Sequence, residues 1–185
     1  MANSTFQYRA PARALHWIMA LLVLLMIPAG LLMVQDWIER PLQNTLFIFH
    51  KNVGVLILLL VTVRLIYRWL RPPAPLPNSL PAWQTRIAGA THAALYVLLF
   101  AMPMAGYIRV RAGGFPIETL DALGVPSLVP RSDALAETAK AAHYYGGLAI
   151  GAIVAMHIGA ALYHGVLKRD GIFSRMWPPF GSRSS

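Results

Sequence analysis

The sequence predicts an all-α fold: an integral membrane four-helix bundle, a single domain over residues 1–185 with both termini cytoplasmic. Three observations carry that prediction. Charged residues make up 12% of the chain and hydrophobic ones 57%, whereas a soluble domain is about a quarter charged. The deficit falls in four stretches. Leu15 to Val34, Ile87 to Ile108 and Ala141 to Leu167 hold no charge, and Leu42 to Val63 holds only Lys51. Each can cross a hydrocarbon core about 30 Å thick as a helix, which satisfies its own backbone there. Finally, four spans place both termini and the middle loop on one side. That side holds ten of the sixteen basic residues and one of the seven acids, an excess that marks the cytoplasmic face.

The elements follow in order. The first helix is expected over residues 12–34, with Pro28 and Gly30 loosening its outer end. A polar turn from Gln35 to Pro41 leads into a second helix, 42–70. The run Pro72-Pro73-Ala74-Pro75-Leu76-Pro77 stops that helix and makes a stiff cytoplasmic connection. The third helix is expected over 83–108, with Pro103 as a kink. The external loop from Arg109 to Pro130 is rich in Gly and Pro, with Ile117 to Leu123 as a short amphipathic turn on the membrane surface. Ser132 or Asp133 suits the N-cap of a fourth helix, 132–168. Trp17, Trp37, Trp69, Trp83 and Trp177 fall near span ends, as an aromatic belt requires. Arg9 and Arg13 precede an apolar run, as in a secretory leader. The run is twenty residues long without an A-x-A cleavage site, so it reads as a span. No internal repeat or second domain is visible.

Composition also excludes. With no cysteine, disulfides, iron–sulfur clusters and thioether-linked haem are ruled out. The net charge of +9 hugs the membrane ends and carries no recognition motif. The expected partner is membrane lipid, not nucleic acid.

Six histidines fall in or at the edge of predicted helices: His16, His50, His92, His143, His157 and His164. A single intramembrane histidine is often just a helix-to-helix hydrogen bonder. Six, with no acidic partner in any span, are costly enough to suggest a function. His143 and His157 are fourteen residues apart in one uncharged helix. They face within roughly 40° of one another and stand about 21 Å apart along the axis. Matching depths then pairs His16 with His157 on the inner side and His50 with His143 on the outer. Each pair can take a haem iron from both faces through imidazole nitrogens, which leaves no open position and favours electron transfer.

Other residues are candidates around these pairs. Gly146, Gly147, Gly151, Gly159 and Gly54 leave room for a flat macrocycle, or serve close helix packing. Arg9, Arg13 and Arg64 are candidate propionate partners, since guanidinium matches a carboxylate bidentately. His92 and His164 are candidates for a propionate or quinone contact. No catalytic residue is assigned. If the external donor is an anion, Lys51, Arg109, Arg111, Arg131 and Lys140 would steer it.

At this point the chain resembles the bacterial cytochrome b561 family. The matching residues are His16-Trp17, then His50-Lys51-x-x-Gly54 with Arg64-Leu65, and His92-x-x-Leu95-Tyr96 with Pro103-x-x-Gly106-Tyr107. His143-x-x-x-Gly147, His157 with Ala160-Ala161-Leu162-x-His164, Asp170-Gly171 and Arg175-Met176 complete the set. The similarity runs from about Tyr8 to Met176. It implies a multi-pass protein of the bacterial inner membrane with two haem b groups, whose axial ligands match His16, His50, His143 and His157. It implies exchange of electrons with the quinone pool. Superoxide oxidation outside and ubiquinone reduction inside are proposed within the family, with a redox protein as another possible donor. Other relatives are haem subunits of larger dehydrogenases or hydrogenases. A non-redox transporter or assembly protein with incidental histidines is the rival from another class. It predicts a colourless protein.

Overall fold

The computed structural model describes residues 7–75 and 80–180. The end of the Pro-rich connection from Leu76 and the basic residue Arg183 lie outside the described residues. Four helices are long and apolar enough to cross a membrane, and no strand is found among the described residues. They are α1 (Ala10–Leu32), α2 (Arg40–Leu70), α3 (Ala82–Ala112) and α5 (Asp133–Leu162), with the short α4 (Glu118–Ala122) between the last two.

Local chemistry sets the helix ends. Pro11 and Pro41 sit in the first turns of α1 and α2, where a missing N–H costs nothing. Ser132 caps α5, its Oγ accepting from the Leu135 N–H at 3.3 Å. Two boundaries differ from expectation by more than two residues. The third helix continues past Ile108 to Ala112 because no breaker intervenes before Gly113-Gly114. Arg109 and Arg111 in its last turn also complement the helix dipole. The last helix is not uniform to residue 168: at Tyr163 it widens into a π-helical turn, Tyr163–Lys168. That turn ends at Arg169 in the left-handed region, φ 51°. It brings His164 to Asp170 and lays Phe173 against Gly165. Pro28 and Pro103 lie inside continuous helices.

The helices pack in chain order: α1 along α2, α2 against α3, and α3 along α5. Between α5 and the α1–α2 pair there is at most passing backbone contact. A seam therefore runs down the bundle. Midway along it Met19 and Val23 of α1, Ile57 and Val61 of α2 and Ile150 of α5 are buried. Ile150 lies seven residues from both His143 and His157, so this apolar layer separates two histidine levels.

The two ends of the bundle are closed differently. At one end Tyr8 donates its N–H to the Arg175 carbonyl at 3.0 Å. Trp17 Nε1 donates to the Met176 carbonyl at 2.8 Å, and Arg175 to the Ala74 carbonyl. The N-terminal segment, the α2–α3 connection and the C-terminal strap therefore meet; this is the terminal end. At the loop end, Glu118 of α4 takes Lys51 Nζ at 2.6 Å and Asn52 Nδ2 at 2.8 Å. Asp121 pairs with Arg111 at 2.6 Å.

Candidate functional site

Four of the six histidines meet ring to ring across the seam. His16 of α1 and His157 of α5 have ring centroids 6.1 Å apart with planes at 79°. His50 of α2 and His143 of α5 have centroids 6.0 Å apart with planes at 77°. The first pair lies toward the terminal end and the second toward the loop end. Both bridge helices that hardly touch through their backbones.

The ring nitrogens of the loop-end pair are oriented by backbone. His143 Nδ1 lies 3.0 Å from the Met102 carbonyl of α3. That contact makes Nδ1 the protonated nitrogen and leaves Nε2 as a lone-pair donor. His50 Nδ1 is buried with no hydrogen-bond partner.

The terminal-end pair has a different shell. His92 of α3 sits beside His157, centroids 5.6 Å apart, so His157 has two histidine neighbours. Arg64 joins three helices: its NH1 donates to the Ala12 carbonyl at 2.7 Å and its Nε to Tyr96 Oη at 3.1 Å. Arg13 is buried and donates to Gln7 Oε1 at 2.8 Å. Arg9 is exposed at the N-cap of α1. His164 stands apart from the pair, its Nδ1 2.6 Å from Asp170 Oδ2. Burial works to raise Asp170, but hydrogen bonds from His164 and the Ile172 N–H hold it below the usual carboxylate range.

The basic residues expected to steer an external anion are mostly engaged with acids. Lys51 pairs with Glu118, Arg111 with Asp121, and Lys140 with Glu137 at 3.0 Å. Among the described residues no ion pair is found for Arg109 or Arg131. Arg131 lines a cavity of about 420 Å³ with Arg111, Phe115, Asp121 and Ser127.

Sequence reasoning did not single out Arg175 as a site residue. It is buried, lies over the Tyr8 ring at 5.2 Å and ties the C-terminal strap to Ala74. The glycines divide. Gly146 and Gly147 face the Met102 side chain and Gly54 faces Met26, which is helix packing. Gly151 and Gly159 have open space before them, and Gly159 is exposed in a surface groove with Leu162, Tyr163, Val166 and Leu167.

A membrane-spanning bundle with apposed imidazoles at two depths defines a class of membrane redox carrier. The comparisons make that specific. The family model described as prokaryotic cytochrome b561 matches residues 7–179. Cytochrome b561 homolog 2 of Escherichia coli (strain K12) is 32% identical over 181 residues, covering 94% of this chain and 93% of that protein. Cytochrome b561 homolog 1 of the same organism is 26% identical over 166 residues, covering 89% and 93%. The chain belongs to the prokaryotic cytochrome b561 family. It is accordingly a multi-pass protein of the bacterial inner membrane whose family implies b-type haem and electron transfer.

The residues present fit that group. Two imidazole nitrogens at about 2 Å from one iron, each about 1.1 Å from its ring centre, put the centroids about 6.3 Å apart. The observed 6.0 and 6.1 Å are close to this; the 5.6 Å of His92 to His157 is shorter. The buried Nδ1 of His50 and the bonded Nδ1 of His143 both leave Nε2 for a metal.

Proposed function

We propose that this protein carries single electrons across the membrane and exchanges them with quinone, His50 with His143 holding one b-type haem and His16 with His157 a second. The observation that carries this reading is the pair of imidazole appositions, 6.0 and 6.1 Å, at two depths between helices that make little backbone contact. Haem iron held by two imidazoles supplies one-electron redox chemistry with no open position for a substrate.

The chain's own residues do the rest. Met102's carbonyl fixes the tautomer of His143. Half-buried Arg64 and buried Arg13, both at the terminal end, offer guanidinium charge where propionates would lie. The apolar layer of Met19, Val23, Ile57, Val61 and Ile150 keeps water from the space between the two pairs. The basic excess of the terminal end puts that end in the cytoplasm, so His50 and His143 lie toward the outside. Reduction of ubiquinone then belongs to the terminal end, where His92 lies beside His157.

An external superoxide donor calls for cationic steering, and Arg109 with Arg131 carries that role better than Lys51, Arg111 or Lys140, whose charges are matched. Replacing both arginines by alanine slows oxidation of the anion and flattens its salt dependence; an unchanged salt dependence rejects the donor. The function itself is tested by absorption spectroscopy and haem counting on the purified protein. Two haems per chain are expected, with one lost in His143→Ala and the other in His16→Ala. A colourless protein, or one haem per chain, overturns the proposal.

A further inference from the structure

We propose that the two loop-end imidazoles are set in place by a duplicated clasp, in which Gly30 and Gly106 are positioning residues for His50 and His143. This inference rests on the reading of those histidines as ligands. It comes from a repeat that the chain as a whole does not show. α1 carries Met26-x-x-x-Gly30 and α3 carries Met102-x-x-x-Gly106; α2 carries His50-x-x-x-Gly54 and α5 carries His143-x-x-x-Gly147.

The two Met–Gly helices meet the two His–Gly helices in the same way. On α1, a Cβ at Gly30 would stand 2.8 Å from His50 Cε1 and 3.3 Å from its Nδ1. On α3, a Cβ at Gly106 would stand 3.1 Å from His143 Cε1 and 3.3 Å from its Nδ1. Each ring is thus laid edge-on into a notch that a bare glycine backbone provides. The methionine one turn earlier completes the contact. In α3 its carbonyl lies 3.0 Å from His143 Nδ1, and in both helices its side chain reaches back to the partner helix. Met26 Cε lies 3.8 Å from a Cβ at Gly54, and Met102 Cε 3.7 Å from one at Gly147, with Met102 Sδ against Gly146. Ring goes into notch and thioether goes into notch, once in α1–α2 and once in α3–α5.

The consequence is specific to ligation. A free imidazole would yield to a methyl group by turning about χ1 and χ2. His143, tied to a carbonyl through Nδ1 and to a metal through Nε2, would have no such freedom, and His50 would be fixed by the metal and the Gly30 notch, so a shift of a few tenths of an ångström is transmitted to the metal bond. No described glycine approaches His16 or His157 in this manner, so the clasp belongs to one level only.

The test uses the full-length holoprotein with Gly30→Ala, Gly106→Ala and, as a control, Gly89→Ala, whose Cβ meets nothing within 4 Å. Haem per chain, the two low-spin ferric resonance signals and the two midpoint potentials are measured. Each clasp variant is expected to lose or shift one haem signal, the same one that His50→Ala and His143→Ala abolish, and to leave the other and the control unchanged. If Gly30→Ala and Gly106→Ala keep both signals and both potentials, the clasp is refuted while the ligand reading stands. If His50→Ala and His143→Ala themselves abolish no signal, the ligand reading fails instead and the clasp with it. If Gly30→Ala does not accumulate, Gly30→Ala combined with His50→Gly, supplied with free imidazole, decides. Recovery of folded protein shows that the ring contact was at fault, and continued failure refutes the clasp.

Discussion

The two histidine pairs have nearly the same ring separation, 6.0 and 6.1 Å, yet they are held by different means. At the loop end the rings rest on backbone: the Met102 carbonyl and the bare helix surfaces at Gly30 and Gly106. At the terminal end they sit among side chains: Trp17 beside His16, His92 beside His157, and Arg64 with Tyr96 linking the helices. A backbone socket tolerates almost no change in its lining, because interiors are close-packed and the main chain cannot swing aside. A shell of side chains can repack. The loop-end site should therefore be brittle and the terminal-end one adjustable.

The largest expected effect breaks that comparison if it fails. His157 has two ring neighbours, and only one can be its partner across an iron. His16→Ala is expected to remove one haem entirely, whereas His92→Ala retains both and changes the spectrum or potential of one. Pyridine-haemochrome counting and a redox titration decide. Loss of a haem in His92→Ala with retention in His16→Ala would reassign the inner ligand to α3.

Arg64→Ala comes next. It removes hydrogen bonds to the Ala12 carbonyl and to Tyr96, and bonds from a charged donor contribute about 1.5–3 kcal/mol each. Thermal melts followed at the haem bands should show the terminal-end signal bleaching first while the loop-end signal keeps its wild-type midpoint. Simultaneous loss of both would mean that the two levels are not independently held.

Trp17→Phe is smaller and tests the strap. It deletes the indole bond to the Met176 carbonyl, a neutral hydrogen bond contributing on the order of 1 kcal/mol. It keeps an aromatic ring beside Trp177, where the present centroid distance is 5.6 Å. Faster proteolysis after residue 168, with both haem spectra unaltered, is the expected result.

Much of this was legible in the chain. Charge depletion marks the spans because a bilayer penalises each charge heavily. Pairing by depth follows from helix rise alone, and the structure places those four rings opposite one another. The π-helical turn at Tyr163 was not legible, because nothing in Gly159-Ala160-Ala161-Leu162 distinguishes it from an ordinary helix end. The strap was hidden for another reason: Tyr8 and Arg175 are far apart in sequence, and the strap's hydrogen bonds end on backbone carbonyls that any residue possesses. The clasp needed both causes together. Gly30 and Gly106 look like helix looseners next to Pro28 and Pro103 until His50 and His143 are seen lying on them.

The least effect concerns the loop end's own closure, and its sign follows from the acids. Burial works to raise Glu118, but hydrogen bonds from Lys51 and Asn52 hold it below the ordinary range. The Arg111 hydrogen bond holds Asp121 below its range as well. A carboxyl group depressed in the folded state stabilises above its unfolded pKa, about 4, and that stabilisation disappears as pH falls through the folded value. Below about pH 4 the α4 turn should therefore loosen from α2, while both haem pairs persist. Amide exchange at Thr119, whose N–H is held by Asn52 Oδ1 at 2.8 Å, reports it. In Glu118→Gln the neutral amide removes most of this acid dependence at Thr119 and leaves the Asp121 part. Lys140→Ala, which breaks a pair exposed on both sides, should change nothing measurable. If Glu118→Gln and Lys140→Ala behaved alike, α4 would be held by the apolar burial of Ile117 and not by its charges. The loop end would then owe its closure to packing, as its histidines owe their placement to backbone.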